Sequence, residues 1–180
     1  MNNKKPLLNS VVDYLDYFAE TSRNETAYTF VTMKNRGFIQ DSKSISFAEL
    51  RDRALKYAHF LQQHTQPGDN VVLVYRNSLE FLYAFYGCLY ARVRAVPASL
   101  AKSGSGKERV INIIHHAGAA VVLSDTGADL TQMIAPDKLN ADTRFFEDKD
   151  VQASKSDLWV PVDILDDDIA FLQYSSGSTG

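Results

Sequence analysis

Pro67-Gly68-Asp69-Asn70-Val71-Val72-Leu73-Val74-Tyr75-Arg76-Asn77-Ser78 is the stretch that decides the fold. Pro67-Gly68-Asp69 breaks the preceding element, Val71 to Tyr75 is a continuous apolar run, and Ser78 stands where it can cap a helix from Leu79 to about Ala91. An unbroken apolar strand has no polar face to turn to water, so it is covered on both sides, as the strands of a parallel sheet are. The pattern then recurs. Ala95-Val96-Pro97 reads as a short strand, Lys107 to Ala117 as a helix closed by Gly118, and Val121-Val122-Leu123 as a second buried strand. Strands alternating with helices predict an α/β fold, an open, mainly parallel sheet flanked by helices and joined by right-handed crossovers.

Upstream, Leu8, Val11, Val12, Leu15, Phe18 and Ala19 recur at helical spacing and predict an amphipathic helix ending near Ser22. Ala27 to Met33 is rich in Tyr, Thr, Phe and Val, Asn35-Arg36-Gly37 is a turn signal, and Phe38-Ile39 resumes extended structure, which together predict a hairpin. Ser46 with Glu49 forms a capping box, and Phe47, Leu50, Ala54, Tyr57, Ala58 and Leu61 line one helix face through to about Gln63. Downstream, the chain from Ala135 is polar and weakly periodic and reads as a surface excursion, while Ile169 to Tyr174 is a strand candidate. The chain therefore divides into a helix and hairpin lead-in (1–44), βαβ repeats (45–134), a surface excursion (135–168) and a strand with its following loop (169–180). Ser103-Gly104-Ser105-Gly106 reads as a mobile loop, and no internal repeat is visible.

The 180 residues amount to one ordinary domain or less, and 45% hydrophobic content with 10 Phe and 9 Tyr is enough for a real core. Lys and Arg number 19 against 22 Asp and Glu, a net charge of −3, which offers no basic footprint for a phosphate backbone, so no nucleic-acid partner is expected. The lone Cys88 cannot form an internal disulfide, and no Cys/His spacing suits zinc. Lys4 and Lys5 are followed by no apolar stretch of a secretory signal. The longest apolar run, Phe81 to Ala91, falls far short of the roughly 20 residues a membrane span needs. A cytoplasmic protein without a membrane span is the expectation.

Chemistry concentrates where the last strand candidate runs into Ser175-Ser176-Gly177-Ser178-Thr179-Gly180. Gly177 and Gly180 permit positive φ and close backbone approach, so successive N–H groups can converge on an anion while the flanking hydroxyls add donors. Such loops lie beyond the carboxyl ends of strands in open α/β sheets, where this one sits. A flexible Gly/Ser linker is the competing reading. The other glycine-rich stretch, Ser103 to Lys107, fails as a Walker A motif, because Ala101 stands where its first glycine belongs and Glu108 follows the lysine in place of Ser or Thr. His115 and His116 are adjacent, so on a helix they diverge by about 100° and cannot share a metal. Asp166 to Asp168 read as a solvated turn ahead of metal ligands, Cys88 as a small core residue, and Arg92 and Arg94 as cations near a helix C-terminus.

Leu172-Gln173-Tyr174-Ser175-Ser176-Gly177-Ser178-Thr179-Gly180 resembles the phosphate-loop signature of the AMP-forming acyl ligase superfamily, which includes acyl-CoA synthetases, peptide-synthetase adenylation domains and fatty acyl-AMP ligases. In that family the loop continues through Pro-Lys-Gly. Ile45 to Leu50, Pro67-Gly68-Asp69, Glu80-Phe81, Gly87 to Ala91 with Val96-Pro97, and Ala117 to Leu123 resemble further family segments, in family order. Gly87-Cys88-Leu89-Tyr90-Ala91 with Asp168 to Tyr174 is most similar to the fatty acyl-AMP ligase branch. The departures are Arg92, where relatives usually carry glycine, and Ser99 to Gly106, which replaces a proline-rich segment.

The resemblance implies the N-terminal part of a large adenylation domain, reaching as far as the phosphate loop. It implies an ATP-dependent enzyme that activates a fatty acid, or another carboxylic acid, to acyl-adenylate and pyrophosphate with Mg2+, for transfer to a phosphopantetheine thiol of an acyl carrier protein or to CoA. Ser175, Ser176, Gly177, Ser178, Thr179 and Gly180 would bind the ATP phosphates. No catalytic residue and no metal ligand is assigned within the chain, since the family's lie downstream of this loop, as does most of its Mg2+ site. Alternatives in the same family are an acyl-CoA synthetase and a peptide-synthetase adenylation domain. From other classes they are a non-catalytic α/β interaction module and a small kinase.

Overall fold

Serines open three of the helices in the computed structural model, which describes residues 8–34, 39–99, 104–125, 130 and 142–175. Ser10 accepts the Asp13 N–H at 3.2 Å while the Asp13 carboxylate accepts the Ser10 N–H at 2.9 Å, and helix α1 (Val11–Thr21) follows. Ser46 and Glu49 repeat the exchange at 3.2 and 2.9 Å to open α2 (Phe47–Gln62), as the sequence predicts. Ser78 accepts the Phe81 N–H at 3.3 Å at the start of α3 (Leu79–Tyr90). Between α1 and α2 lies the expected hairpin, β1 (Thr26–Met33) antiparallel to β2 (Ile39–Ser46), with Phe30 opposite Lys43. Its turn signal Asn35-Arg36-Gly37 lies outside the described residues. The second strand is longer than predicted and runs straight into the α2 cap; its exposed polar residues Gln40 to Ser44 carry no apolar signal.

The main sheet has four parallel strands in the order β4 (Arg94–Ala98), β3 (Asn70–Val74), β5 (Val121–Ser124), β6 (Arg144–Glu147). Side-chain alternation explains why the central strands are apolar throughout. Val71, Leu73, Val121 and Leu123 join the core under α2 and α3, while Val72, Val74, Val96 and Val122 join the core under α4 (Gly104–Ala117) with Val110, Ile113 and Ile114. Against the first face α2 and α3 cross closely at Gly87, where an added Cβ would stand 2.4 Å from Tyr57 Cβ and 3.1 Å from the Ala54 carbonyl oxygen.

At the end of α3 the Val93 N–H bonds to the Cys88 carbonyl and the Arg92 N–H to the Leu89 carbonyl, a Schellman closure with Arg92 in the left-handed position at φ 57. Glycine suits that position, which gives the family's usual residue there a physical reason. Gly118, also at φ 57, closes α4 in the same way.

Three sequence readings need correction. The segment 135–168, read as a surface excursion, contains β6 and the short helix α5 (Asp148–Val151), with Phe145 opposite Val122 on the sheet edge. One four-residue strand with an exposed first residue has too few positions to show a period. Gly104 to Gly106, read as loop, form the first turn of α4. The glycine cost of about 1 kcal/mol each is outweighed by the burial of the apolar face of the same helix. Finally, Ile169 to Tyr174 makes a single parallel bridge, Ala95 to Phe171, in place of a full strand.

Candidate functional site

The sheet delivers one segment, residues 168–175, to the start of the glycine-rich loop. Asp168 anchors its beginning. Arg92 donates to both carboxylate oxygens, at 2.7 and 3.1 Å, and the Leu165 N–H donates a third bond at 2.8 Å. These bonds, Arg92 first, hold the Asp168 carboxyl below its ordinary range. The Asp168 N–H bonds back to the Leu165 carbonyl, so Asp166 and Asp167 sit in a turn. Among the described residues no group of three His, Cys, Asp or Glu side chains gathers into a metal site.

The segment then pairs with the outer edge of β4. The Ala95 N–H donates to the Ala170 carbonyl at 3.1 Å and the Leu172 N–H to the Ala95 carbonyl at 2.9 Å, while the Phe171 ring lies tilted against Phe85 with centroids 5.9 Å apart. Because the bridge is parallel, the chain travels with β4 and emerges at the carboxyl edge of the sheet.

Tyr174 comes next, and α4 holds it twice. Its hydroxyl lies 2.8 Å from His116 Nδ1, with the rings edge-on at 5.6 Å, and its carbonyl accepts from Arg109 Nη2 at 3.2 Å. The tyrosine ring is half-buried against the α4 core. Sequence reasoning missed both partners: it weighed His116 only as a metal ligand, and a contact across 58 positions leaves no local signal. Of the predicted loop residues the structure describes Ser175, which is exposed; Ser176, Gly177, Ser178, Thr179 and Gly180 lie outside the described residues.

A second perturbed carboxylate lies elsewhere at the carboxyl end of the sheet. Asp148 Oδ1 accepts from the Tyr57 and Tyr75 hydroxyls, each at 2.6 Å, beside a cavity of about 190 Å3 lined by Lys43, Arg53 and Glu80 among others. Burial raises the Asp148 carboxyl above its ordinary value, against the two phenols, and burial likewise pushes both phenols upward. A larger groove of about 800 Å3 runs between α1, the α3–β4 connection and residues 161–170. It touches neither Tyr174 nor Ser175.

The residue pattern of the family described as AMP-binding enzyme matches residues 15–180. The chain is 30% identical over 182 residues to the medium-chain-fatty-acid–[acyl-carrier-protein] ligase JamA of Moorena producens (strain JHB), covering 97% of this chain and 30% of that protein. It is 30% identical over 161 residues to the long-chain-fatty-acid–AMP ligase FadD23 of Mycobacterium tuberculosis (strain CDC 1551 / Oshkosh), covering 86% and 26%. Among solved structures, the fatty acyl-adenylate ligase of Legionella pneumophila in complex with acyl adenylate and pyrophosphate superposes with a TM-score of 0.77 at 29% identity, covering 95% of this chain and 29% of that one. The chain thus spans about three-tenths of the length of the relatives it matches. With its parallel sheet, its edge segment and its Ser/Gly loop all in family order, the chain belongs to the AMP-binding enzymes, the adenylate-forming ligases, and forms part of their N-terminal region.

Proposed function

We propose that the protein carrying this chain is a fatty acyl-AMP ligase. A fatty-acid carboxylate attacks the α-phosphorus of ATP, the bond to the bridging oxygen breaks, and pyrophosphate leaves as acyl-adenylate forms. A phosphopantetheine thiol on an acyl carrier protein then attacks the acyl carbonyl and releases AMP. The carboxylate needs this activation because its own oxygen is a poor leaving group, whereas AMP is a good one. Mg2+, bound with ATP, would offset phosphate charge, and no residue of this chain is assigned as its ligand.

The observation that carries the reading is the segment Leu172 to Ser175 leaving the carboxyl edge of a parallel sheet, directly ahead of the sequence Ser176-Gly177-Ser178-Thr179-Gly180, in a chain of this family. In the proposed loop, Ser175, Ser176, Gly177, Ser178, Thr179 and Gly180 cradle the β- and γ-phosphates, with backbone N–H groups and hydroxyls as donors, and hold the leaving pyrophosphate in line. Adenylation needs no protein nucleophile, and none is assigned. The names of JamA and FadD23 support a fatty-acid substrate, and that of JamA supports a carrier protein as acceptor. Among the described residues no helix is long and apolar enough to cross a membrane, and the cytoplasm is the proposed compartment.

Fatty-acid-dependent ATP–pyrophosphate exchange by the whole protein tests the reading. Exchange is expected with the wild type and reduced about tenfold or more by Thr179→Ala, since one lost donor to a transferring group costs at least that. Acyl transfer to a carrier protein in preference to CoA is expected in the same preparation. The 180-residue chain alone is expected to be inactive, because a loop at a chain end lacks the rigid surroundings that preorganised donors need. Exchange by the isolated chain, or none by the whole protein, overturns the corresponding statement.

A further inference from the structure

We infer that His116 and Arg109 of α4 are positioning residues for the nucleotide, acting through Tyr174. By holding the Tyr174 hydroxyl and carbonyl they set where Ser175 leaves the sheet, and with it the path of the phosphate loop. The inference rests on the loop reading proposed above.

Among the described residues, the last hydrogen bond from the segment to β4 is at Leu172, two residues before Tyr174. At Tyr174 the contacts shown are with α4. The sequence that follows is Ser, Thr and Gly, with little side-chain bulk, so the groups that place its first residue, Ser175, carry weight. The flank is built for that. Arg109 and His116 are seven positions apart, two turns of one helix and about 10 Å along its axis, so they face the same way and reach opposite ends of one tyrosine.

The helix beneath them is fixed by Val110, Ile113, Ile114 and Ala117 in the core. His116 and Arg109 themselves are exposed, so replacing them opens no cavity. Small displacements of a phosphate-binding group are costly to the reaction although they break no covalent or catalytic contact.

The atom used makes the inference testable. The bond is to Nδ1 of His116, a position that an asparagine amide reproduces and a glutamine amide, one methylene longer, does not. His116→Asn, His116→Gln and Tyr174→Phe are made in the whole protein. Two quantities are read: the Kd for β,γ-imido-ATP by calorimetry, and the separate KM values for ATP and fatty acid in pyrophosphate exchange. Expected is an increase of about tenfold in Kd and in KM for ATP with H116Q and Y174F, with fatty-acid KM and Tm unchanged and H116N close to wild type.

ATP affinity at the wild-type value in all three variants overturns the inference, as does equal weakening by H116N and H116Q. A rise in both KM values together with a fall in Tm assigns the contact to folding alone and overturns it too. A wild type that exchanges normally beside flat variants removes only this inference. A wild type that neither binds the analogue nor exchanges removes the loop reading and this inference with it.

Discussion

Arg92 is a residue whose backbone and side chain pull in opposite directions. Its φ of 57 disfavours any side chain with a Cβ, yet the guanidinium forks onto Asp168 and fastens the segment that leads to the loop. Two substitutions separate these effects. Arg92→Ala keeps the unfavourable backbone and loses the pair, whereas Arg92→Gly loses the pair but relaxes the backbone. Thermal unfolding should therefore rank R92G above R92A by about 2–4 °C, the shift expected from one left-handed residue in a domain of this size. R92A melting at or above R92G would show that the turn is unstrained. That a glycine belongs at this position was legible in the sequence, through resemblance. Asp168 as the compensating partner was not, because 76 positions separate the two. The Tyr174 contacts were hidden for the same reason, since propensity and spacing report neighbours along the chain and not across it.

Among the elements, the legible ones carried their own signals: the Ser46–Glu49 box of α2, the Ser78 cap of α3 and the unbroken apolar strands β3 and β5. Ser10 caps α1 with the same reciprocal bonds, but Asp13 stands where the usual pattern has Glu, so the match went unseen. Strand β6 and helix α5 were illegible because their identity comes from what they pack on. Asp148 at the start of α5 accepts hydrogen bonds from Tyr57 of α2 and from Tyr75 just past β3, so one carboxylate ties three elements together. Burial raises that carboxyl, so the folded chain holds its proton more tightly than the unfolded chain. The contribution of this group to stability thus falls as pH rises from about 4, the ordinary carboxylate value, through the raised one. Asp148→Asn keeps an oxygen for both phenols and carries no charge. Urea denaturation between pH 4 and 7 should show the variant gaining on the wild type as pH increases. A constant difference across that range would mean that folding leaves the carboxyl at its ordinary value.

Over the whole molecule the sheet separates two cores, α2 and α3 on one face and α4 on the other, and the edge segment touches both, Phe171 through Phe85 and Tyr174 through α4. The bridge from Ala95 to Phe171 is its only register point on the sheet among the described residues. The segment is held to this edge by two backbone bonds to β4 and the Arg92–Asp168 ion pair, with the Phe171 and Tyr174 contacts beside them. Central strands gain neighbours on both sides for the same chain entropy. Amide exchange should therefore be faster at Leu172, whose N–H makes one of those two bonds, than at Val72; equal protection at the two sites would show that the segment opens only with the whole domain. On the proposed function, local opening of this segment would mean that part of a nucleotide's binding free energy goes into closing it. Measured ATP affinity would then report on the order of this one edge, and a mutation that loosened it would mimic a weaker ligand with every phosphate contact intact.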